Sequence, residues 1–287
     1  MLPDPVRQVA EEIAGDRTLG AFPLALRVLE AYGLLSEPLD KAQTADELHR
    51  AMTLAQPWMV AVRNASLLGR QLVVEGRSFD IEPLRERLTR AREKVAQHAI
   101  EALRGAKTVV TLSYSSDVFA ALTHPEGSDG LRVYVCESRP LQEGIQMASD
   151  LRRAGVDAVV VADAAGPTLV GRADAVVCGA DSLLRDGGLV NKIGTLSLAL
   201  ACREQDVPFL PLLEVLKLEL EGQEIRWQEE RRDPDELSTQ VEALNFYFEK
   251  VVPTLLDRVV SDTGTERPLN LLDRFRTPED LAGFYLE

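Results

Sequence analysis

Short apolar runs that alternate with helical stretches fill the chain after Gly105, and they constrain its fold more than any other feature. The runs predict strands at 108–112, 131–136, 158–161, 175–178 and 207–213. Apolar residues at helical spacing lie between some of them, at 116–122, 144–154 and 195–203. Strands that alternate with helices form parallel sheets, because a parallel strand needs a long crossover connection. This half of the chain therefore predicts an α/β fold with a Rossmann-like parallel sheet.

The first part of the chain predicts a different architecture. Apolar residues recur at helical spacing from Val9 onward, and 81–103 predicts a long helix with Leu84, Leu88 and Val95 on one side. We therefore expect a helical N-terminal domain over 1–104, followed by a Rossmann-like domain over 105–287 that contains the parallel sheet.

Composition excludes several classes of function. The chain has 287 residues, 45% of them hydrophobic, and a formal net charge of −14. This charge argues against nucleic acid and anionic membranes as partners. The three cysteines lack the spacing of zinc ligands, and no segment has the form of a signal peptide or a membrane span, so we expect a cytoplasmic protein without a metal. Without a G-x-G-x-x-G motif we also expect no nicotinamide cofactor.

The stretch 176–195 concentrates the chemistry. A predicted strand ends on Gly179, Asp181 follows, and Asn191 and Lys192 come just before a predicted helix. A helix N-terminus and an ammonium group both attract anions. Asp181 is then the one anion at a site otherwise built for anions, which favours a role in proton transfer.

Other strand ends supply further candidates, each with an alternative. Ser115 and Ser116 follow the first strand and could bind phosphate or simply cap a helix. Arg139 stands on a turn stiffened by Pro140, as a phosphate clamp or as a surface arginine. Cys136 could reach the same pocket, although a small buried residue is the favoured interpretation. For two further charged segments we expect no role in ligand binding. We expect Glu214 and Lys217 to form an internal ion pair and 229–233 to be a solvated loop.

These motifs together resemble one superfamily. It contains the alpha, beta and delta subunits of translation initiation factor 2B, ribose-1,5-bisphosphate isomerase and methylthioribose-1-phosphate isomerase. The resemblance covers about residues 10–265 and rests on these segments: Asp16-Arg17 to Gly20-Ala21, Glu137-Ser138-Arg139-Pro140 with Gly144, Gly179-Ala180-Asp181, Asn191-Lys192-Ile193-Gly194-Thr195, Pro208-Phe209 with Glu214 and Lys217, Asn245-Phe246-Tyr247-Phe248-Glu249, and Ser261-Asp262.

The resemblance implies specific roles. Enzymes of this superfamily convert aldose 1-phosphates to ketose 1-phosphates with a paired cysteine and aspartate, without a metal or nucleotide cofactor. It implies that Asp181 is that aspartate and that Asn191 and Lys192 hold the substrate. Arg17 and Arg139 match the phosphate-side arginines, and Gly20 and Ala21 belong to the N-terminal ligand turn. It also implies at least a homodimer formed through the Rossmann-like domain, with 245–256, including Phe246 and Phe248, at the contact.

One departure leaves the function open. Ser113 occupies the position of the family's cysteine, and a hydroxyl is a far weaker acid than a thiol, whose pKa is about 8.5. The first hypothesis is a sugar-phosphate isomerase with Asp181 as acid and base, and with Ser113 or a water in place of the thiol. The second is a sensor that binds a phosphorylated sugar or nucleotide without turnover. The third is an assembly subunit like those of the initiation factor.

Overall fold

The chain begins with a bundle of five helices. A computed structural model describes residues 2–16, 19–35, 41–77, 80–223, 225 and 227–287. The helices are α1 Asp4–Gly15, α2 Ala21–Gly33, α3 Lys41–Ala55, α4 Val60–Val74 and α5 Ile81–Ala102. Gly69 lets α4 approach α2 closely, because a Cβ there would lie 2.6 Å from the Tyr32 ring.

In the residues that the structure describes, ten strands follow, in two sheets. They are β1 Thr108–Leu112, β2 Arg132–Cys136, β3 Asp157–Val161, β4 Ala175–Gly179, β5 Ser182–Leu183, β6 Leu189–Lys192, β7 Phe209–Leu212, β8 Phe248–Val251, β9 Val259–Ser261 and β10 Gly264–Glu266. The large sheet has the order β10-β9-β7-β4-β1-β2-β3 and is parallel except for β10. Its central strand β4 is buried throughout, which explains its unbroken apolar sequence.

The helices that cross between these strands cover the sheet. They are α6 Ser116–Thr123, α7 Glu143–Arg153, α8 Gly166–Leu169 and α9 Thr195–Gln205, and the chain ends with α10 Pro268–Arg274 and α11 Pro278–Leu286. The predicted α/β class, with a helical N-terminal region before a mostly parallel sheet, is confirmed. The division at residue 104 stays a prediction, because one buried apolar cluster contains residues from both parts, among them Leu29 and Val176. No helix in the described ranges is both long and apolar enough to span a membrane.

The small antiparallel sheet, in the order β5-β6-β8, was not predicted. Asn191 and Lys192, which the sequence placed just before a helix, lie on its middle strand and pair with Glu249 and Phe248 of β8. The helix α9 begins at Thr195, as predicted, after Gly194 with φ of 103°. Both functional side chains therefore stand on a strand, whose position depends on a partner far along the chain.

The C-terminal helix is tied to the sheet beside the site. Tyr285 donates from its hydroxyl to Asp262 Oδ2 at 3.1 Å, and Asp262 Oδ1 accepts from the Val215 N–H at 2.8 Å. Burial raises the pKa of Asp262 to about 6. The contact fixes the short turn that carries Glu214 and Lys217.

The segment 245–256, expected at a dimer contact, faces two ways. Phe248 lies on the inner side, 5.5 Å from the Lys192 ammonium, whereas Val252 is 46% exposed. Dimerisation stays a prediction, and Phe248 is a residue of the site rather than of an outer face.

Candidate active site

A cavity of about 750 Å³ opens at the carboxyl ends of β1 and β4, as parallel sheets lead one to expect. The helical region closes one side of it and the small sheet another. Its lining contains most of the predicted site residues and several others: Asp16, Gly20, Ala21, Phe22, Ser113, Ser115, Ser116, Glu143, Asp181, Asn191, Lys192, Lys217, Arg232, Tyr247 and Phe248.

Three helix N-termini line this cavity. Gly20 precedes α2, Gln142 precedes α7, and Ser115 caps α6, where its Oγ accepts from the Val118 N–H at 3.4 Å. Gly179 makes room for this cap, because a Cβ there would lie 2.6 Å from Ser115 Oγ. Helix N-termini favour negative charge, so the cavity suits an anion.

Asp181 lies half-buried directly after β4. Burial raises its pKa to about 6, against the opposing effect of the Lys217 and Lys192 ammonium groups. A carboxyl group of this kind can hold or release a proton near neutral pH. It is not the one anion of the site, as the sequence led us to expect, because Glu143 also lines the cavity.

Lys192 is almost fully enclosed. Its Nζ lies 2.5 Å from Glu143 Oε1 and 5.0 Å from the centroid of the Tyr247 ring. Asn191, its neighbour on β6, donates from Nδ2 to Thr195 Oγ1 at 3.0 Å. A carboxylate and an aromatic face hold the ammonium at the cavity wall, where an incoming anion can reach it.

The N-terminus of α9, expected from the sequence to attract an anionic ligand, contacts a carboxylate of the chain itself. The Glu249 Oε1 already accepts from the N–H groups of Gly194 at 2.6 Å and Leu196 at 2.9 Å. A protein carboxylate therefore fills the anion position of this helix.

Arg232 is a site residue that the sequence did not reveal. The stretch 229–233 predicted a solvated loop, yet the Arg232 side chain is only 15% exposed and lines the cavity. Its guanidinium carbon lies 5.0 Å from the Tyr247 centroid, and Nη2 contacts Glu230 at 2.8 Å. Its Nε is buried, with no hydrogen-bond partner among the described residues. An unpaired buried donor at a cavity wall is a position for a ligand acceptor.

A buried charged cluster lies behind Asp181. The predicted pair of Glu214 and Lys217 is confirmed at 2.8 Å, and Asp117 adds a second carboxylate 2.6 Å from the same Nζ. Burial and the Asp117 charge raise the pKa of Glu214 to about 8. Burial lowers the pKa of Lys217, but the two carboxylates outweigh it and raise the pKa overall. We call Asp117, Glu214 and Lys217 the buried triad.

Ser113 and Cys136 differ in access. Ser113 lines the cavity after β1, with φ of 59°, and its N–H donates to Ser138 Oγ at 2.7 Å. Cys136 is 3% exposed and packs against Gly166 outside the cavity lining. Burial raises the pKa of its thiol to about 12. Cys136 is therefore the small buried residue that we favoured, and it lies outside the cavity lining.

Of the two predicted phosphate-side arginines, only Arg139 belongs to the described residues, and it lies outside the cavity lining. Arg139 is exposed, its N–H donates to Asp163 Oδ2 at 2.8 Å, and it is absent from the cavity lining. Arg17 lies outside the described residues, although Asp16, Gly20 and Ala21 of the same turn line the cavity. Both assignments stay predictions.

The donor set of the lining suits an anionic organic ligand. Within the described ranges, no three His, Cys, Asp or Glu side chains cluster as metal ligands do. The lining instead combines the Lys192 ammonium, the Arg232 guanidinium and two acids, Asp181 and Glu143. Cations bind a phosphate, and acids exchange protons with hydroxyl groups.

Residues 36–268 match the Initiation factor 2 subunit family, and the chain belongs to this family. It is 32% identical over 225 residues to an eIF-2B subunit 2-like protein of Pyrococcus abyssi, covering 76% of this chain and 80% of that protein. It is 28% identical over 300 residues to ribose 1,5-bisphosphate isomerase of Haloterrigena turkmenica, covering 93% of this chain and 91% of that one. The family predicted from the motifs is confirmed.

Solved structures agree with this assignment. The translation initiation factor eIF-2B of Pyrococcus horikoshii superposes with a TM-score of 0.80 at 26% identity, covering 94% of this chain and 99% of that chain. The 5-methylthioribose 1-phosphate isomerase of the same organism gives a TM-score of 0.69 at 20% identity, covering 94% and 87%, and shows the shared fold.

Proposed function

We propose that this chain binds a phosphorylated sugar in the cavity and isomerises an aldose 1-phosphate to a ketose 1-phosphate. The observation that carries the proposal is the position of Asp181, a carboxyl group in the cavity lining whose pKa burial raises despite the charges of Lys217 and Lys192. A carboxylate repels phosphate, so a site that only binds phosphate gains nothing from it. Relatives named ribose 1,5-bisphosphate isomerase support the same reaction class.

The phosphate is best held at the helix N-termini. Ser115 and Ser116 stand at the start of α6, and Gly20 and Ala21 stand at the start of α2 across the cavity. Lys192 and the unpaired Nε of Arg232 supply positive charge on the remaining side. A charge-assisted hydrogen bond to an ion contributes about 1.5–3 kcal/mol, so a few such contacts account for specific binding.

The reaction needs one proton donor and one acceptor. The ring oxygen must receive a proton as the bond to C1 opens, and the C2 hydroxyl must lose one as C2 becomes a carbonyl. Asp181, with a pKa of about 6, supplies one of these functions. On the resemblance, Ser113 stands where the family's isomerases carry a thiol, and we infer that its hydroxyl donates a hydrogen bond to the sugar instead.

The test is Asp181→Asn, assayed with ribose 1,5-bisphosphate and related pentose phosphates. Asparagine keeps the size and the hydrogen-bonding shape but cannot transfer a proton. We expect kcat to fall by about 10²–10⁴-fold, the usual contribution of general acid–base catalysis, while binding by calorimetry stays equal or becomes tighter. A wild-type protein that binds these sugars without turnover would refute the isomerase proposal.

A sensor of a phosphorylated sugar or nucleotide is the second candidate, and Ser113 in place of the thiol favours it. Ser113→Cys separates the two. A thiol can be tuned to transfer protons near neutral pH, so an isomerase cavity should gain turnover from it. Tight binding without turnover in both the wild type and Ser113→Cys would favour the sensor.

A further inference from the structure

Glu143 is a largely buried acid at the wall of the cavity. It is the first residue of α7, lines the cavity, and its side chain is 21% exposed. Its Oε1 accepts from Lys192 Nζ at 2.5 Å. Its Oε2 is buried and has no hydrogen-bond partner in the described parts of the chain. An unpaired buried acceptor is costly, and a ligand hydroxyl at the cavity wall would satisfy it.

The remaining acids near the cavity are differently engaged. The carboxylates of the buried triad share Lys217, and Glu249 caps α9. Asp150, at the rim, accepts from the Tyr114 hydroxyl at 3.1 Å and from Gln146 at 2.9 Å. Asp16, which also lines the cavity, accepts from the Leu19 N–H at 2.7 Å. Among the described acids of the lining, Glu143 therefore stands out beside Asp181, because one of its carboxylate oxygens has no hydrogen-bond partner within the protein.

We propose that Glu143 is the second proton-transfer group of this site and accepts the proton of a sugar hydroxyl while Asp181 acts as the acid. The inference rests on the proposed isomerase function. It assigns to Glu143 the second proton transfer, for which the Ser113 hydroxyl is too weak an acid. The Lys192 ammonium and the N-terminus of α7 both attract negative charge, which suits a group that must begin the reaction as a carboxylate. Glu143 is also close enough to raise the pKa of Asp181, so the two groups share one electrostatic environment.

The step balances without any co-reactant. Protonated Asp181 gives its proton to the ring oxygen of the aldose 1-phosphate as the bond between C1 and that oxygen breaks. The hydrogen on C2 moves to C1 with its bonding electron pair. The C2 hydroxyl gives its proton to the Glu143 carboxylate, and C2 becomes the carbonyl of the ketose 1-phosphate. After the product leaves, water returns a proton from Glu143 to Asp181.

The experiment compares Glu143→Gln with the wild type, using ribose 1,5-bisphosphate as substrate. Glutamine keeps the length of the side chain and an oxygen for Lys192, but it cannot accept a proton. We expect kcat to fall by at least about 100-fold with KM changed less than about threefold, and the acidic limb of the pH profile to disappear. Glu204→Gln, the same change on an exposed position of α9, is the matched control and should leave both constants unchanged.

Several results would overturn the inference. An unchanged kcat in Glu143→Gln would exclude a proton-transfer role, and a rise in KM alone would show that Glu143 only holds Lys192. Thermal melting tests whether the variant folds, and Glu143→Asp tests the chemistry in a second way. A folded Glu143→Asp must recover part of kcat and the acidic limb, and no recovery argues against the carboxylate. A wild type without turnover would instead defeat the isomerase proposal itself.

Discussion

Two buried lysines line the same cavity, but they differ in the number of carboxylates around them. Lys217 lies 2.6 Å from one carboxylate and 2.8 Å from another, both fully enclosed by the protein. Lys192 has one carboxylate, that of Glu143, and otherwise faces the rings of Tyr247 and Phe248. The first ammonium is matched within the fold, and the second is only partly matched.

This difference distinguishes a structural cluster around Lys217 from a ligand-facing cluster around Lys192 in the wall of the same cavity. The buried triad joins α6 to the turn after β7, so its charges hold elements together. The cluster around Lys192 leaves Glu143 Oε2 and Arg232 Nε unpaired at the cavity. The two clusters differ in where their carboxylates lie and in how many of them meet the ammonium. Lys217 contacts two carboxylates that lie outside the cavity lining, which indicates a structural role. Lys192 contacts one carboxylate that lines the cavity, which indicates a role toward a ligand.

The largest effect on stability should come from Lys217→Met. Methionine keeps the length of the side chain but leaves Asp117, which is 0% exposed, without its cation. Removing one partner of a buried ion pair costs about 3–5 kcal/mol, and we expect the free energy of unfolding in urea to fall by that amount. Lys192→Met is the matched control. It should cost about 1 kcal/mol or less, because Glu143 can be solvated through the cavity, but it should weaken phosphate binding.

Equal losses of stability in the two variants would contradict the distinction between a structural Lys217 and a ligand-facing Lys192. They would mean that Lys192 is also a structural ion pair, and the ligand role of the cluster would then need other support. Calorimetry with inorganic phosphate on both variants gives the second readout.

The sequence predicted the centre of the large sheet well because β1, β4 and β7 are buried on both faces, whereas β9 and β10 at its edge were not predicted. The run 175–178 is apolar throughout and corresponds to β4, with an end shifted by one residue. The small sheet could not be predicted in this way. Its strand β6 pairs with β8, more than fifty positions further on, and no local pattern specifies such a distant pairing.

The candidate site shows the same division. Residues that directly follow strands, such as Ser113 and Asp181, line the cavity as predicted, because the carboxyl ends of parallel strands meet at one edge. Arg232 is positioned at the cavity by the pairing of its neighbour Arg231 with Phe246, and no sequence motif predicts this pairing. Glu143 was visible in the sequence, but only its ion pair and its unpaired oxygen distinguish it from a surface acid.

Arg232→Ala and Arg139→Ala test whether the arginine found in the structure or the arginine assigned from the sequence motif binds the phosphate. Arg232 lines the cavity, and loss of its charge-assisted contact should weaken sugar-phosphate binding by about tenfold or more, since such a bond contributes about 1.5–3 kcal/mol. Arg139 is exposed and outside the cavity lining, so its removal should change affinity less than about threefold. Calorimetry measures both. The opposite order of effects would restore Arg139 as the phosphate clamp and exclude Arg232.

The smallest effect concerns two aspartates that share a pKa of about 6, Asp181 and Asp262. In each case the folded chain keeps a proton that the unfolded chain releases near pH 4, so stability falls as pH rises from about 4 to about 6. Asp181→Asn removes this penalty and should stabilise the fold by about 1–2 kcal/mol above pH 6, with the gain shrinking towards pH 4.

Asp262→Asn should have the opposite sign. Its two oxygens accept from Val215 and Tyr285, and an amide has only one acceptor oxygen for these two donors. The lost hydrogen bond should lower stability by about 1 kcal/mol, beyond what is regained from titration. Urea unfolding at pH 5 and pH 8 measures both variants. A gain in Asp181→Asn alone would show that the cavity acid is kept at the expense of stability, as a proton-transfer group would be. Equal losses would make Asp181 a second structural carboxylate.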